Sequence, residues 1–397
     1  MACSEHRGAG IVTLAAGCFA ALYVVLDFNK LHALRFGADS GIFLQTLVNF
    51  AHHGSTFNWA EQAPHLQIHD SWTLLAFAPL AALWPRPELL IVLQLALLAG
   101  AAIPLYLLAR AFGLSQTPAV LIAVAYLISP SVQGWAYSDF SESHLVPILA
   151  FALALAVKRR SLWGTLLFAQ LLLGVKEDEV WFVGWFALAG ALWYDRRSGL
   201  AVVALCVANG LAYYGIDALH GHLPNRPQYG LADPFWRQQL AFLAEVLAPF
   251  AFAPLALGWR VLLAAPLLGE LFLTQHWHYP LARAGVHYTE PIVALLAIGA
   301  VIAIARRPRW AGWALACSAI MAAFFNTTVL HLGRHLYAPD PRYGELHALA
   351  QSNRAFTFSI DDEGAWVVAS GDTNARLLGF GDPLRHPQPA WLDAAGH

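Results

Sequence analysis

Charge is what this chain has least of. Only 12% of its 397 residues are Asp, Glu, Lys or Arg, about half the share that a water-facing globular surface carries. A soluble domain of this length is therefore excluded. Excess positive charge is missing as well: 23 basic residues stand against 25 acidic ones, a net charge of −2, which leaves no field for nucleic acid. The four cysteines have no paired spacing, and Cys18, Cys206 and Cys317 fall inside apolar runs, where cysteine acts as a small hydrophobe. Internal repeats and low-complexity stretches are also lacking.

Hydrocarbon is abundant instead. The chain is 58% hydrophobic, with a mean hydropathy of +0.53. Runs such as 89–109, 291–305 and 311–325 approach or reach the ~20 residues that cross a bilayer. They are apolar all round, as lipid-facing helices are. The expected fold is an all-α integral membrane protein, a multi-pass helical bundle. Its spans are placed at 10–26, 72–84, 88–109, 117–133, 145–157, 161–175, 179–194, 199–216, 239–257, 260–274, 288–305 and 311–332. The stretch LAAGC ending at Cys18 hints at a lipoprotein cleavage site, but the apolar run continues through 19–26, which predicts an uncleaved first span.

Basic residues orient the bundle. Lys158, Arg159 and Arg160, then Arg196 and Arg197, then Arg306, Arg307 and Arg309 fall in alternate short connections. The positive-inside rule puts these in the cytoplasm, with the N-terminus. Outside lie SDFSESH (138–144), VKEDE (175–179), 217–238, TQHWHYPLARAGVHY (274–288) and a small tail over 334–397. An outside tail needs an odd number of crossings. The segment 72–84, short and carrying Pro79, is the one to read as re-entrant. About eleven to thirteen crossings follow, forming one membrane domain over 1–333, with 27–71 as its first outer loop. Within that loop Ile42, Phe43, Leu47 and Phe50 recur at helical spacing, the pattern of an amphipathic helix on the membrane surface.

The outward loops collect carboxylates, imidazoles and tryptophans. Asp39 in GADSGIFLQ begins the surface helix; it serves as a helix cap, as a fixed carboxylate able to take a proton from a hydroxyl, or as both. In APHLQIHDSW, His65 and His69 share a face if helical, and Asp70 follows. The pair either contacts a metal or phosphate or packs the loop, and the glutamate of a zinc-protease HExxH is absent. In QHWHYP, His276 and His278 alternate about Trp277, either as ligands on one side of an extended loop or as part of an interfacial belt. Asp139, Glu142 and His144 divide between display and burial. The run Lys176-Glu177-Asp178-Glu179 abuts apolar residues on both sides. Too little room remains for a solvated turn, so at least one charge lies in a helix end, where it pairs or serves a site.

These same segments carry a resemblance. ADSGIFLQ, the run PRPELLIVLQLALLAGAAIPLYLLARAFGL (85–114), SDFSESH and LLLGVKEDE occur in the order and spacing of an uncharacterised family of bacterial polytopic membrane proteins related to the GT-C glycosyltransferases. The resemblance covers about 36–305. Where that family tends to read Asp-Phe-His, this chain has Asp139-Phe140-Ser141, with His144 three residues on. The resemblance implies a GT-C-like bundle in the bacterial plasma membrane. Its donor is a polyprenyl-phosphate sugar, and transfer to an acceptor takes place on the extracytoplasmic face among membrane lipids. It implies Asp39 as base, with Asp70 second, and Glu177 orienting a cation or the acceptor. Lys176, Arg283 or a divalent metal on His69 with His276 or His278 would meet the phosphate. Asp178, Asp139, Glu142 and His144 would complete the substrate contacts. Two other classes compete: a transporter or lipid-flipping protein, to which Glu245 and Glu270 within apolar runs point, and a non-catalytic scaffold of the same fold.

Overall fold

The computed structural model describes residues 2–33, 35–36, 39–58, 61, 63–219, 236–274, 285–325, 332–341, 343, 366–369 and 376–379. Helices dominate it: α1 (Ala2–His32), α2 (Asp39–His53), then the two-residue strands β1 (Phe57–Asn58) and β2 (Ala63–Pro64), and α3 (Ala78–Leu83). There follow α4 (Pro87–Gly100), α5 (Ala102–Ala111), α6 (Gln116–Leu127), α7 (Pro130–Ala136), α8 (Leu145–Lys158), α9 (Leu162–Leu173), α10 (Glu179–Trp193) and α11 (Arg196–Leu219). The remainder is α12 (Trp236–Leu247), α13 (Ala265–Leu273), α14 (Glu290–Arg306), α15 (Trp310–Phe325) and an antiparallel pair, β3 (Trp366–Ala369) and β4 (Arg376–Gly379). The chain is an all-α multi-pass membrane protein.

Among the described residues Arg7–His32, Pro87–Ala111, Arg196–Gly215, Ala253–Leu273 and His287–Arg306 are long and apolar enough to cross a bilayer, and the bent pair α6–α7 is so only when its two helices are taken together. Several expected spans are interrupted, each for a local reason. The run 117–133 bends by 51° between α6 and α7, where Pro130 has no N–H to give the preceding turn. The runs 239–257 and 260–274 break at Ala251 and Phe252, both left-handed at φ 50° and 54°, and again at Gly258, φ 64°. Trp72–Leu83 is a short apolar segment, half of it 3₁₀, too short to cross unaided.

The chain divides into two compact units: Met1–Ala20, Ala96–Ala136 and Ser143–Leu330 form the first, Ala21–Leu95, Tyr137–Glu142 and His331–His397 the second. In the first, α14 lies against α5, α8 and the segment 253–264, and α10 pairs with α11. On the free side of α10, Trp181, Trp185, Leu188 and Leu192 form an exposed stripe at helical spacing, as a lipid-facing surface requires. In the second unit, the helix expected in the first outer loop forms as α2. Its burial goes beyond the apolar stripe: Phe43, Leu44 and Leu47 enter a core with Leu74, Leu90 and Phe140, while Gln45, Thr46 and Asn49 are buried as well. The β1–β2 hairpin receives part of that polar side, with Asn49 Nδ2 donating to Phe57 O at 2.7 Å.

Candidate functional site

Three candidate segments meet in the second unit. Ser40, beside Asp39 in the first turn of α2, accepts a hydrogen bond from Phe140 N at 3.3 Å, which ties ADSG to SDF. One turn on, Phe43 sets its ring edge-on to Phe140 and to His65, each at a centroid distance of 5.3 Å. His65 in turn meets His69 at 5.7 Å. Asp39 itself is exposed while the residues after it are buried. Asp39 thus stands exposed at the start of a helix whose first turns are packed in the core. His69 and Asp70 are half-buried in the same unit.

Asp139 is engaged from below the loop. Lys30 Nζ lies 3.7 Å from its Oδ1, donates to Tyr137 O at 2.9 Å, and sits 4.1 Å from the Phe36 ring centroid. Burial, reinforced by the Tyr337 hydroxyl, pushes the Tyr137 phenol well up, so it stays protonated. Next to this pair Asp27 is 0% exposed. Neither of its carboxylate oxygens has a hydrogen-bond partner among the described residues, and Lys30 and Asp139 lie within electrostatic reach. Glu142 is buried, with Ser141 Oγ donating to it at 3.4 Å. The chain just past Leu336 closes over the end of α1: Asn29 Nδ2 donates to Tyr337 O at 2.9 Å, and Tyr337 N donates back to Asn29 Oδ1 at 2.8 Å.

The first unit gathers the other segments. His144 Nδ1 and Glu290 Oε1 are 2.5 Å apart, and both side chains are wholly buried. The KEDE run is no solvated turn. Glu177 and Glu179 are buried, Lys176 and Asp178 half-buried, and the backbone tightens at once into α10, with Glu179 N donating to Lys176 O at 3.2 Å. Lys176 Nζ stands 5.3 Å from the Tyr288 ring centroid, within cation–π range. The start of α14 is strapped to α7, because Trp135 Nε1 donates to Val286 O at 3.1 Å and to Thr289 Oγ1 at 3.3 Å. Gly134 and Gly285 make that approach possible: a Cβ at Gly134 would lie 2.4 Å from Gly285 Cα, and Gly285 has φ +88°.

The expected residues therefore sort into two groups. Asp39, His69, Asp70, Asp139 and Glu142 belong to the second unit, and His144, Lys176, Glu177 and Asp178 to the first. His276, His278 and Arg283 lie outside the described residues. Among the described residues no three His, Cys, Asp or Glu side chains form a set that could hold a metal ion. Sequence reasoning missed Lys30, Asp27, Glu61 and Glu290. Of these, Glu290 left a signal, an acid directly before the apolar run that begins at Pro291.

A family model described as "Predicted membrane protein (DUF2079)" matches residues 30–215 and 213–370. No curated protein and no solved structure matches the chain.

Proposed function

Since the chain belongs to the DUF2079 family of membrane proteins, we propose that it is a membrane-embedded glycosyltransferase. It moves a sugar from a polyprenyl-phosphate donor to an acceptor hydroxyl on the extracytoplasmic face of the bacterial plasma membrane. The observation that supports this is the meeting of α2, the 65–70 segment and the 137–142 loop around an exposed Asp39. Direct displacement of the phosphate by an acceptor hydroxyl, which inverts the anomeric centre, is helped by a fixed, solvent-reachable base such as a carboxylate. Asp39 takes the acceptor proton, the acceptor oxygen bonds to the anomeric carbon, and the bond from that carbon to the phosphate oxygen breaks. Its electron pair leaves with the phosphate. Asp70 is the second carboxylate.

The test uses purified protein in nanodiscs with a panel of radiolabelled undecaprenyl-phosphate sugars and extracted envelope glycans. Label should move to an acceptor, and Asp39→Asn should slow that transfer by about 10²–10⁴-fold, the usual contribution of a general base. An intact protein that moves no label across the panel, or an Asp39→Asn variant as fast as wild type, overturns the reading.

One observation favours a second function. Asp27 is a wholly buried acid in a candidate span, with Lys30 one turn away, and intramembrane acids of this kind mark ion and substrate paths. Proton-driven uptake into proteoliposomes that is lost in Asp27→Asn would move the protein to the transporter class.

A further inference from the structure

The β1–β2 hairpin holds a chain of polar side chains that ends on an atom with nothing to bind. Asn58, wholly buried, accepts from Glu61 N at 2.8 Å through Oδ1 and donates through Nδ2 to Glu61 Oε2. Glu61 is thereby fixed with its two carboxylate oxygens 3.1 and 2.9 Å from Nδ1 of His65. An ionised carboxylate only accepts, so Nδ1 carries its proton, and Nε2 is the ring atom left to gain or lose one. His65 is 1% exposed, its backbone N donates to Thr56 O at 2.9 Å, and its ring is fixed edge-on by Phe43. Nε2 is buried and has no hydrogen-bond partner among the described residues.

A loop that merely packed would have no use for this arrangement, since an unsatisfied buried polar atom is destabilising and apolar residues would fill the space better. Carboxylate-oriented imidazoles recur where the far nitrogen meets a ligand. The described residues supply no third metal ligand here, and Asp39, exposed in the same unit, already offers a proton acceptor. An imidazole N–H awaiting an acceptor, with the second imidazole of His69 beside it, is suited to an anionic oxygen.

We infer that His65 is a catalytic residue of the transfer proposed above, an inference that rests on that reading: its Nε2–H meets the phosphate oxygen that leaves the sugar. As the bond between the anomeric carbon and that oxygen breaks, the oxygen keeps the electron pair and takes the Nε2 proton. The acceptor hydroxyl proton goes to Asp39. Water then returns a proton to His65 and removes one from Asp39, so the cycle is balanced. Glu61 is a positioning residue, acting through His65. The titratable groups facing His65 are Glu61 at Nδ1 and His69 at the ring edge; Phe43 from α2 and the Thr56 carbonyl are uncharged.

The experiment is transfer from the undecaprenyl-phosphate sugar in nanodiscs, followed against pH for wild type, His65→Gln and Glu61→Gln, with thermal unfolding run on each. Wild-type transfer should fall as pH rises through the imidazole titration. His65→Gln should be slower by about 10²-fold, the low end for an acid–base group, and should lose that limb. Glu61→Gln keeps an acceptor for Nδ1 but removes the counter-charge of the imidazolium, so its limb should move to lower pH. If His65→Gln does not fold, the limb of Glu61→Gln alone decides. A folded His65→Gln with wild-type rate and limb, or an unmoved limb in Glu61→Gln, overturns the role of His65 while leaving the transferase standing. A wild-type protein that transfers nothing removes both readings together.

Discussion

The two units treat buried polar side chains differently. In the first, several are paired: buried His144 with Glu290, half-buried Gln170 with Asn209 through two hydrogen bonds of 2.9 and 3.0 Å, Tyr213 with the Leu173 carbonyl, while Thr165 Oγ1 is buried without a partner among the described residues. In the second, among the described residues, Asp27, His65 Nε2, Ser71 Oγ and Glu88 Oε2 are buried without a partner. Paired polar groups tie helices together in the first unit, and more buried polar atoms stand unpartnered among the described residues of the second.

That contrast can be broken by substitution, beginning where the largest effect is expected. His144→Ala strands Glu290 in the interior of the first unit and should cost about 3–5 kcal/mol, as broken buried pairs do. Thermal or steric-trap unfolding measures it, and His144→Leu with Glu290→Leu should recover most of the loss. If the single variant is as stable as wild type, the pair is not structural and the contrast fails. Gly134→Ala comes next. Its Cβ would meet Gly285 Cα at 2.4 Å, and overpacking of this kind costs roughly 1–3 kcal/mol.

In the second unit, Asn29→Ala removes both hydrogen bonds to Tyr337 and should cost about 1–2 kcal/mol, visible as earlier proteolysis near residue 337. The smallest effect on stability is expected at Asp27→Leu, which removes an acid with no partner; unfolding should be unchanged or raised by ~1 kcal/mol, while transfer or uptake is lost. A large destabilisation there would show that Asp27 has a structural partner, and the difference between the units would narrow.

Much of this was legible beforehand, and the reasons are specific. Long apolar runs forced helices, and arginines in alternate connections are the basis for reading 27–71, 138–144, 175–179 and 274–288 as outer loops. Contacts within each unit join some of these segments: Lys30 with Asp139 in one, Lys176 with Tyr288 in the other. Helix breaks were less visible. Hydropathy sees 117–133 as one run because Pro130 is itself compatible with an apolar stretch, and nothing in APFAFAP announces left-handed Ala251 and Phe252. The Glu61–His65 pair was hidden for a different reason. His65 invites comparison with His69, four residues later, whereas the partner that orients it stands four residues earlier across a hairpin that two-residue strands do not reveal.

The clasp of Asn29 on Tyr337 also sets a clock. Its two members are 308 residues apart in the chain, so at a synthesis rate of about 5–20 residues per second the first waits some 15–60 s for the second to be made. For that interval the first span sits in the membrane with Asn29 open, while the bundle of the other unit is being threaded in. The second unit is therefore finished late, and a ribosome that stalls before Tyr337 leaves a protein anchored in the bilayer but never closed at the end of its first helix.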